Sequence, residues 1–369
     1  MGLRAVEHTT LSDFLSTATT YANDNVRLNL ILGPLVTLWT RDQTNPGDQR
    51  TRNPEEAERP DADAQILVTV WDDEDLRLLF TKVGAGQSQL ASPLAPPDVE
   101  KLAVPVLPTL IEHLLALPIF SVSKSPDSGP AFLRTLAGSR SLVLPFLAQW
   151  PHSSKSTPGF DIRACSLTTP PAITSVQLPE GHSVSLADFS TISSEEHDEI
   201  ARLVIDFVTN HPTNPPALSL EQAREKAKVW MTPMWIYRAP LSTDSDGKDT
   251  KAVPVGFCNL GRPTPKTVAI RGVMVAQAAR GRGIAERMVA HVARTYLVDA
   301  RPEEHDPSFR NLSPTRHNVP TVFGRKDEVC LFVEEANDVA RRVYKRVGFE
   351  ESADRWGNWD LVGIEPGCW

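Results

Sequence analysis

Two stretches of the chain combine residue types and spacings that can do chemistry. The first is TVAIRGVMVAQAARGRGIAERMVAHVARTYL, from Thr267 to Leu297. At its centre Arg280, Gly281, Arg282, Gly283, Ile284 and Ala285 form a basic, glycine-interrupted turn between an apolar run and a segment of helical periodicity. A glycine-rich turn that opens a helix leaves backbone N–H groups without intrahelical partners, aimed at one spot at the positive end of the helix dipole. Such a spot binds phosphate, and Arg280 and Arg282 would add charge-assisted donors to the fixed amides. The second stretch is VCLFVEEANDVARRVYKRVGF, from Val329 to Phe349, in which Asn337 and Tyr344 are about two helical turns apart and so share one face of a helix. Singly, each signal is weak. Gly281-Arg-Gly283 has Glu286 where a dinucleotide fingerprint needs its third glycine. A tyrosine on a helix is ordinarily a packing residue.

These residues need elements to hold them. Thr267–Val275 reads as a strand, and the run after Ala285 as a helix that buries Ile284, Met288, Val289, Val292 and Tyr296 and turns Arg287 and Arg294 to solvent. Upstream, Ser194–Asn210 is an amphipathic helix with acids in its first turn, and Ser219 begins a second helix over Leu220–Trp230. Met234–Arg238 and Val253–Leu260 are strands joined by the polar loop Ser242–Lys251. Trp230, Met231, Trp235 and Tyr237 either line a pocket or fill the core. Beyond the first stretch come an insertion at Arg301–Asp327, a strand at Glu328–Val333, a helix at Ala336–Val347 stopped by Gly348, and a last strand at Asn358–Ile364. The first half reads as a helix within residues 10 to 40 and a polar loop over Arg41–Asp63. A hairpin of Ala64–Trp71 and Leu76–Val83 follows, then a helix at Leu107–Leu117. Pro130–Leu136 and Ser141–Trp150 suggest further helical packing, and Phe160–Leu167 a closing strand. The segment Pro151–Pro179 is rich in proline, serine and threonine, which places a boundary near residue 175 between domains 1–175 and 176–369.

At 369 residues about two domains are expected. The formal charge of −8, from 38 basic and 46 acidic residues, argues against general nucleic-acid binding. Cys165, Cys258, Cys330 and Cys368 are scattered, with no zinc spacing, and read as reduced thiols. No apolar signal core or run of 18 apolar residues occurs, so the expectation is a cytoplasmic chain without a membrane partner.

Taken together, the two stretches resemble the GNAT superfamily of acyl-CoA-dependent N-acyltransferases over roughly residues 184 to 369. The family's pattern of Arg or Gln, two residues, Gly, one residue, then Gly or Ala is met by Arg280, Gly283 and Ala285. Asn337, Tyr344 and Gly348-Phe349 match its second motif. The resemblance implies an α/β (α+β) fold with a mixed, mostly antiparallel sheet flanked by helices. It also implies acetyl-CoA as acyl donor, without a metal. Backbone groups of Val273, Met274 and Val275 would pair with the pantetheine arm as an added strand. Amides of Gly281 to Ala285 would hold the pyrophosphate, Asn337 would contact the pantetheine region, and Tyr344 would protonate the departing thiolate. A backbone amide, best placed at Val275, would polarise the thioester carbonyl. Several relatives use a glutamate on the strand before the loop, but Thr267–Val275 has no carboxylate. Glu334 and Glu335 are then the candidates for general base, with a water chain or an acid among Glu195–Glu199 as alternatives. The first half vaguely resembles the degenerate half of tandem GNAT proteins, although Lys82-Val-Gly-Ala-Gly86 lacks both the arginine and the spacing; an unrelated helical cap is the alternative.

The activity implied is transfer of an acetyl group to a primary amine of a small molecule by direct attack, in a monomer or homodimer. Protein or peptide N-acetylation and non-catalytic CoA binding are the alternatives.

Overall fold

The computed structural model describes residues 2–22, 26–44, 64–84, 87–117, 133, 135–151, 156–210, 217–231, 233–240, 251–264, 266–298 and 324–361. Residues 45–63 of the first polar loop, 242–250 of the second, 301–323 of the insertion and Cys368 lie outside them.

One order of elements occurs twice. The first pass is β1 (Leu3–Glu7), α1 (Leu11–Ala22), α2 (Val26–Thr44), β2 (Gln65–Asp72), β3 (Asp75–Val83) and β4 (Ser88–Ala91). It continues through helical turns from Pro96 into α3 (Leu107–Ala116), then β5 (Thr135–Ser139), α4 (Arg140–Gln149) and β6 (Ser156–Leu167). After a short helix, α5 (Ile173–Val176), the second pass runs β7 (Ser183–Leu186), α6 (Ser194–Thr209), α7 (Leu220–Glu225), β8 (Met234–Ala239), β9 (Val253–Gly261) and β10 (Thr267–Val275). It closes with α8 (Ile284–Val298), β11 (Glu328–Glu334), α9 (Asp338–Val347) and β12 (Glu350–Leu361). Both passes therefore read strand, two helices, three strands, helix, strand, helix, strand.

The chain divides into two compact units. The first holds Met1–Ala164, Val333–Asn337 and Glu351–Trp369; the second holds Cys165–Phe332 and Asp338–Glu350. In the first, the strand order is β1-β2-β3-β4-β5-β12-β6. Only β4 and β5 are parallel among its registered pairs. The expected hairpin is β2–β3, with Asp73 at a φ of 53° in its tight turn, a conformation that aspartate tolerates better than most residues. Its core joins Val68, Phe80, Leu107, Phe146 and Trp150 to Trp359 of β12.

Several expectations need correction here. The helix of residues 10 to 40 is two helices, and β1 and β4, four or five residues each, carry too little pattern to read. Residues 135–139 form a strand, not part of a helical pair. TLAGS is buried at every position, so it has no alternation, and its glycine is there because β4 passes close by: a Cβ on Gly138 would collide with the Leu90 carbonyl oxygen and lie 2.8 Å from Val143 Cγ2.

In the second unit the order is β7-β8-β9-β10-β11, antiparallel except for β10–β11. The Ser193 hydroxyl caps α6 by accepting from the Glu196 N–H, and Ser219 and Gln222 form a reciprocal capping box at α7. Alternate residues of β8 serve opposite faces. Ile236 packs with Val204 and Ala227 on the α6–α7 side, whereas Trp235 meets His291 and Tyr296 of α8 edge to face. Met231, Trp235 and Tyr237 are all buried, which favours the core reading over the pocket reading for these three.

Replacing Gly138 with alanine is expected to lower unfolding free energy by about 1–3 kcal/mol, as overpacking of a tight site does. Urea unfolding checks this, and an unchanged midpoint would mean that β4 can move off β5 at no cost.

Candidate functional site

β10 is paired along its length on one side only. With β9 it runs from Ala269↔Gly261 to Val275↔Gly256, with a bulge between Ile270 and Gly272. With β11 it pairs from Thr267↔Glu328 to Ile270↔Leu331 and stops. Beyond Ile270 the β11-facing edge of β10, including Val273, Met274 and Val275, therefore has no ladder partner in these registers. Backbone groups on a free edge are donors and acceptors waiting for a strand.

The chain leaves β10 through a 3₁₀ turn, Gln277–Ala279, into the loop that opens α8. Gly281 and Gly283 hold φ of 77° and 71°, left-handed values that a side chain resists. No atom lies within 4 Å of a Cβ built on Gly281, so the loop is open there. Arg280, Gly281, Arg282 and Gly283 are exposed, Ile284 is buried as the first anchor of α8, and Ala285 is half-buried. Two arginines brace the loop. The Arg280 side chain donates from Nε to the Val275 carbonyl oxygen at 3.0 Å, and Arg287 donates from Nη1 to the Arg282 carbonyl oxygen at 2.7 Å. Arg280 is thus a strap back to the end of β10 rather than a mobile donor. Arg287 and Arg294 are half-buried rather than fully turned to solvent, and Arg294 donates to the Pro171 carbonyl oxygen at 2.7 Å.

Tyr344 is partly accessible at its surface, and burial pushes its phenol up, away from ionisation. It meets Phe349 edge to face at 6.0 Å, and among the described residues its hydroxyl makes no hydrogen bond. The helix carrying it begins at Asp338, so Asn337 precedes the helix and does not share a helical face with Tyr344. Asn337 is exposed, and its N–H donates to the Glu334 carbonyl oxygen at 3.0 Å.

The two base candidates differ sharply. Glu335 accepts from Arg163 at 2.8 Å, pairs with Arg355 at 3.2 Å, and its N–H donates to the Asp161 carbonyl oxygen. Glu334 is half-buried, and its carboxylate makes no hydrogen bond or ion pair among the described residues. The thiols of Cys258 and Cys330 are buried and pushed up by that burial, so neither is a thiolate nucleophile near neutral pH.

Two groups escaped the reading of the sequence. His182 bonds through Nδ1 with the Tyr237 hydroxyl at 2.9 Å; burial, then Arg287 and Arg282, lower its pKa and favour the neutral ring. Nothing in its local sequence marks it. Arg271 interrupts the apolar β10 and is exposed; a lone charge within such a strand was the available signal. Among the described residues no helix is long and apolar enough to cross a membrane, and no three His, Cys, Asp or Glu side chains are grouped to hold a metal.

Residues 216–299 match the model of the acetyltransferase (GNAT) family. No curated protein matches the chain. Among solved structures, it is similar to a GCN5-related N-acetyltransferase from Sphaerobacter thermophilus, at 16% identity over 99% of this chain and 96% of that one, with a TM-score of 0.44. A tandem GNAT protein from the clavulanic acid biosynthesis pathway is similar at 14% identity over 97% of each chain, with a TM-score of 0.43.

If Glu335 serves the ion pairs and not the chemistry, Glu335→Gln lowers stability by about 1–2 kcal/mol, the scale of a partly buried charged contact. Paired thermal unfolding and turnover assays check this. A kcat that falls tenfold with unchanged stability would return Glu335 to the catalytic set.

Proposed function

We propose that this chain, a member of the acetyltransferase (GNAT) family through the domain at residues 216–299, moves the acetyl group of acetyl-CoA to a primary amine of a small molecule by direct attack. One observation carries the reading: the edge of β10 loses its β11 partner after Ile270 immediately upstream of a loop with two left-handed glycines. An unpaired edge accepts an extended amide-bearing arm, and the following loop and helix start suit a pyrophosphate. The residues present fit the donor. Gly281 leaves open space, Arg282 is exposed beside it, and the Arg280 and Arg287 braces fix the loop in advance. Acetyl-CoA supplies an activated thioester.

The chain's own groups do the rest. The Val275 amide is the candidate to polarise the thioester carbonyl. Tyr344 keeps its proton and holds it toward the leaving sulfur. In water, transfer from a phenol of pKa about 10 to a thiolate of about 8.5 is uphill, and burial of Tyr344 steepens it. The transfer is favourable only where the sulfur is desolvated too, as burial does to Cys258 and Cys330 in the same unit. With Glu335 spent on two guanidiniums, Glu334 is the candidate base for the amine. No thiol on the described strands is poised to carry the acetyl group, which supports direct transfer.

The first unit reads as a decayed copy without a donor site. There β4 and β5 pair up to Leu90↔Gly138, one residue short of each strand's end, so no edge is left open. The segment after β4, Ser92–Pro97, has prolines at 93, 96 and 97 in place of glycines, and prolines lack the N–H groups a phosphate needs. Position 140+6 of α4 is Phe146 where position 338+6 of α9 is Tyr344, so the hydroxyl is missing as well.

Thiol release from acetyl-CoA against a panel of amines tests the activity; no release with any amine overturns it. Tyr344→Phe is expected to cut kcat at least about tenfold with acetyl-CoA affinity unchanged, the usual scale of lost general acid catalysis. Gly283→Glu places a negative side chain at a φ of 71° and is expected to abolish acetyl-CoA binding in calorimetry while thermal unfolding still shows a folded protein. Retained binding would put the phosphates elsewhere.

A further inference from the structure

The second unit gathers three cations that the acetyl-transfer reading leaves without a task. Arg271 is the sole charged residue of β10 and lies just past its last pair with β11. Its side chain is exposed, yet desolvation lowers its pKa. Its stem lies across Gly261, where a Cβ would come within 2.5 Å of Cδ, so the glycine makes room for it. The next residue, Arg262, holds a φ of 50°, a costly conformation for a non-glycine residue. That turn sets its guanidinium 5.5 Å over the ring of Phe332, the first residue of β11 beyond the last pair. Both guanidiniums therefore stand where the two strands part. Lys226, in the turn that continues α7, is the third member. Burial and then Arg271 lower its pKa, and the same two causes bring Arg262 down to about 10. Among the described residues neither the Lys226 nor the Arg271 side chain makes a hydrogen bond or ion pair. Like charges near one another repel, and an anion bound among them relieves the repulsion.

The placement fits the acceptor and not the donor. Lys226 belongs to the α6–α7 face of the sheet, whereas α9, which carries Tyr344, packs with α8 on the opposite face. The donor loop is likewise at the start of α8. We propose that Lys226, Arg262 and Arg271 bind a carboxylate of the acceptor, which makes the substrate an amino-acid-like amine rather than a simple alkylamine or polyamine.

The inference rests on the acetyl-transfer reading, and matched substrates separate the two. Thiol release is compared for lysine against cadaverine, ornithine against putrescine and tyrosine against tyramine, each pair differing by one carboxylate. The carboxylated member of the best-used pair is expected to show a kcat/KM at least about tenfold higher, the scale of a charge-assisted contact. Arg271→Gln, and Lys226→Gln should the first variant fold poorly, raise KM for that member about tenfold without moving KM for its decarboxylated partner or the Kd for acetyl-CoA. Equal or better use of the decarboxylated amines overturns the inference and leaves acetyl transfer standing. No release with any amine overturns both.

Discussion

A strand with two neighbours has no backbone to spare, and the second unit turns on the place where β10 loses one of them. After Ile270 the strand is held by β9 alone. That puts unusual weight on the β9 side, and β9 meets it with close approaches. A Cβ on Gly256 would lie 2.7 Å from the Met274 carbonyl oxygen, and Gly272 sits against the buried Asn259 Oδ1 and the Phe207 ring. The bulge falls at the same point, between Ile270 and Gly272, where a change of twist helps the strands diverge. Arg280 completes the arrangement by returning to the Val275 carbonyl, so the end of an unsupported strand and the loop after it are one rigid piece.

The first unit shows what the same order of elements does when that divergence is absent. Its parallel pair stays together to within one residue of the ends, and the helix after it carries Phe146, which stacks on Phe80 and Trp150 as core. Charge that would be awkward in a binding cleft serves as structure there. Arg163, Glu335 and Arg355 share one ion-pair cluster, and Ser139 donates to the buried Asp354. Two uses of one topology thus differ by a few residues of strand pairing.

What the sequence made legible was what local rules decide. Gly281, Gly283 and the helix from Ile284 follow from turn chemistry and periodicity within one stretch of chain, and Ser219 announced its own capping box. What stayed hidden depends on partners distant in sequence. Arg280 looks like a free donor until Val275 is seen beneath it, and Glu335 like a free base until Arg163 closes on it from 172 positions away. Thr135–Ser139 failed for a different reason: a strand buried on both faces has no alternating pattern, and here its glycine answers to Leu90 rather than to its own neighbours. Asn337 and Tyr344 were joined by counting helical turns, which assumed a helix that starts two residues earlier than the one that forms.

The position of β12 has a consequence for how the chain comes to be folded. This strand is translated after every strand of the second unit, yet it lies between β5 and β6, and Trp359 is part of the first unit's core. A nascent chain ending near residue 175 therefore holds a sheet with a gap between β5 and its last strand, β6, and a core that lacks Trp359 opposite Leu136. The two passes through one topology are not two beads released in turn from the ribosome. The half that emerges first must wait, partly assembled, for the half that emerges last to close it.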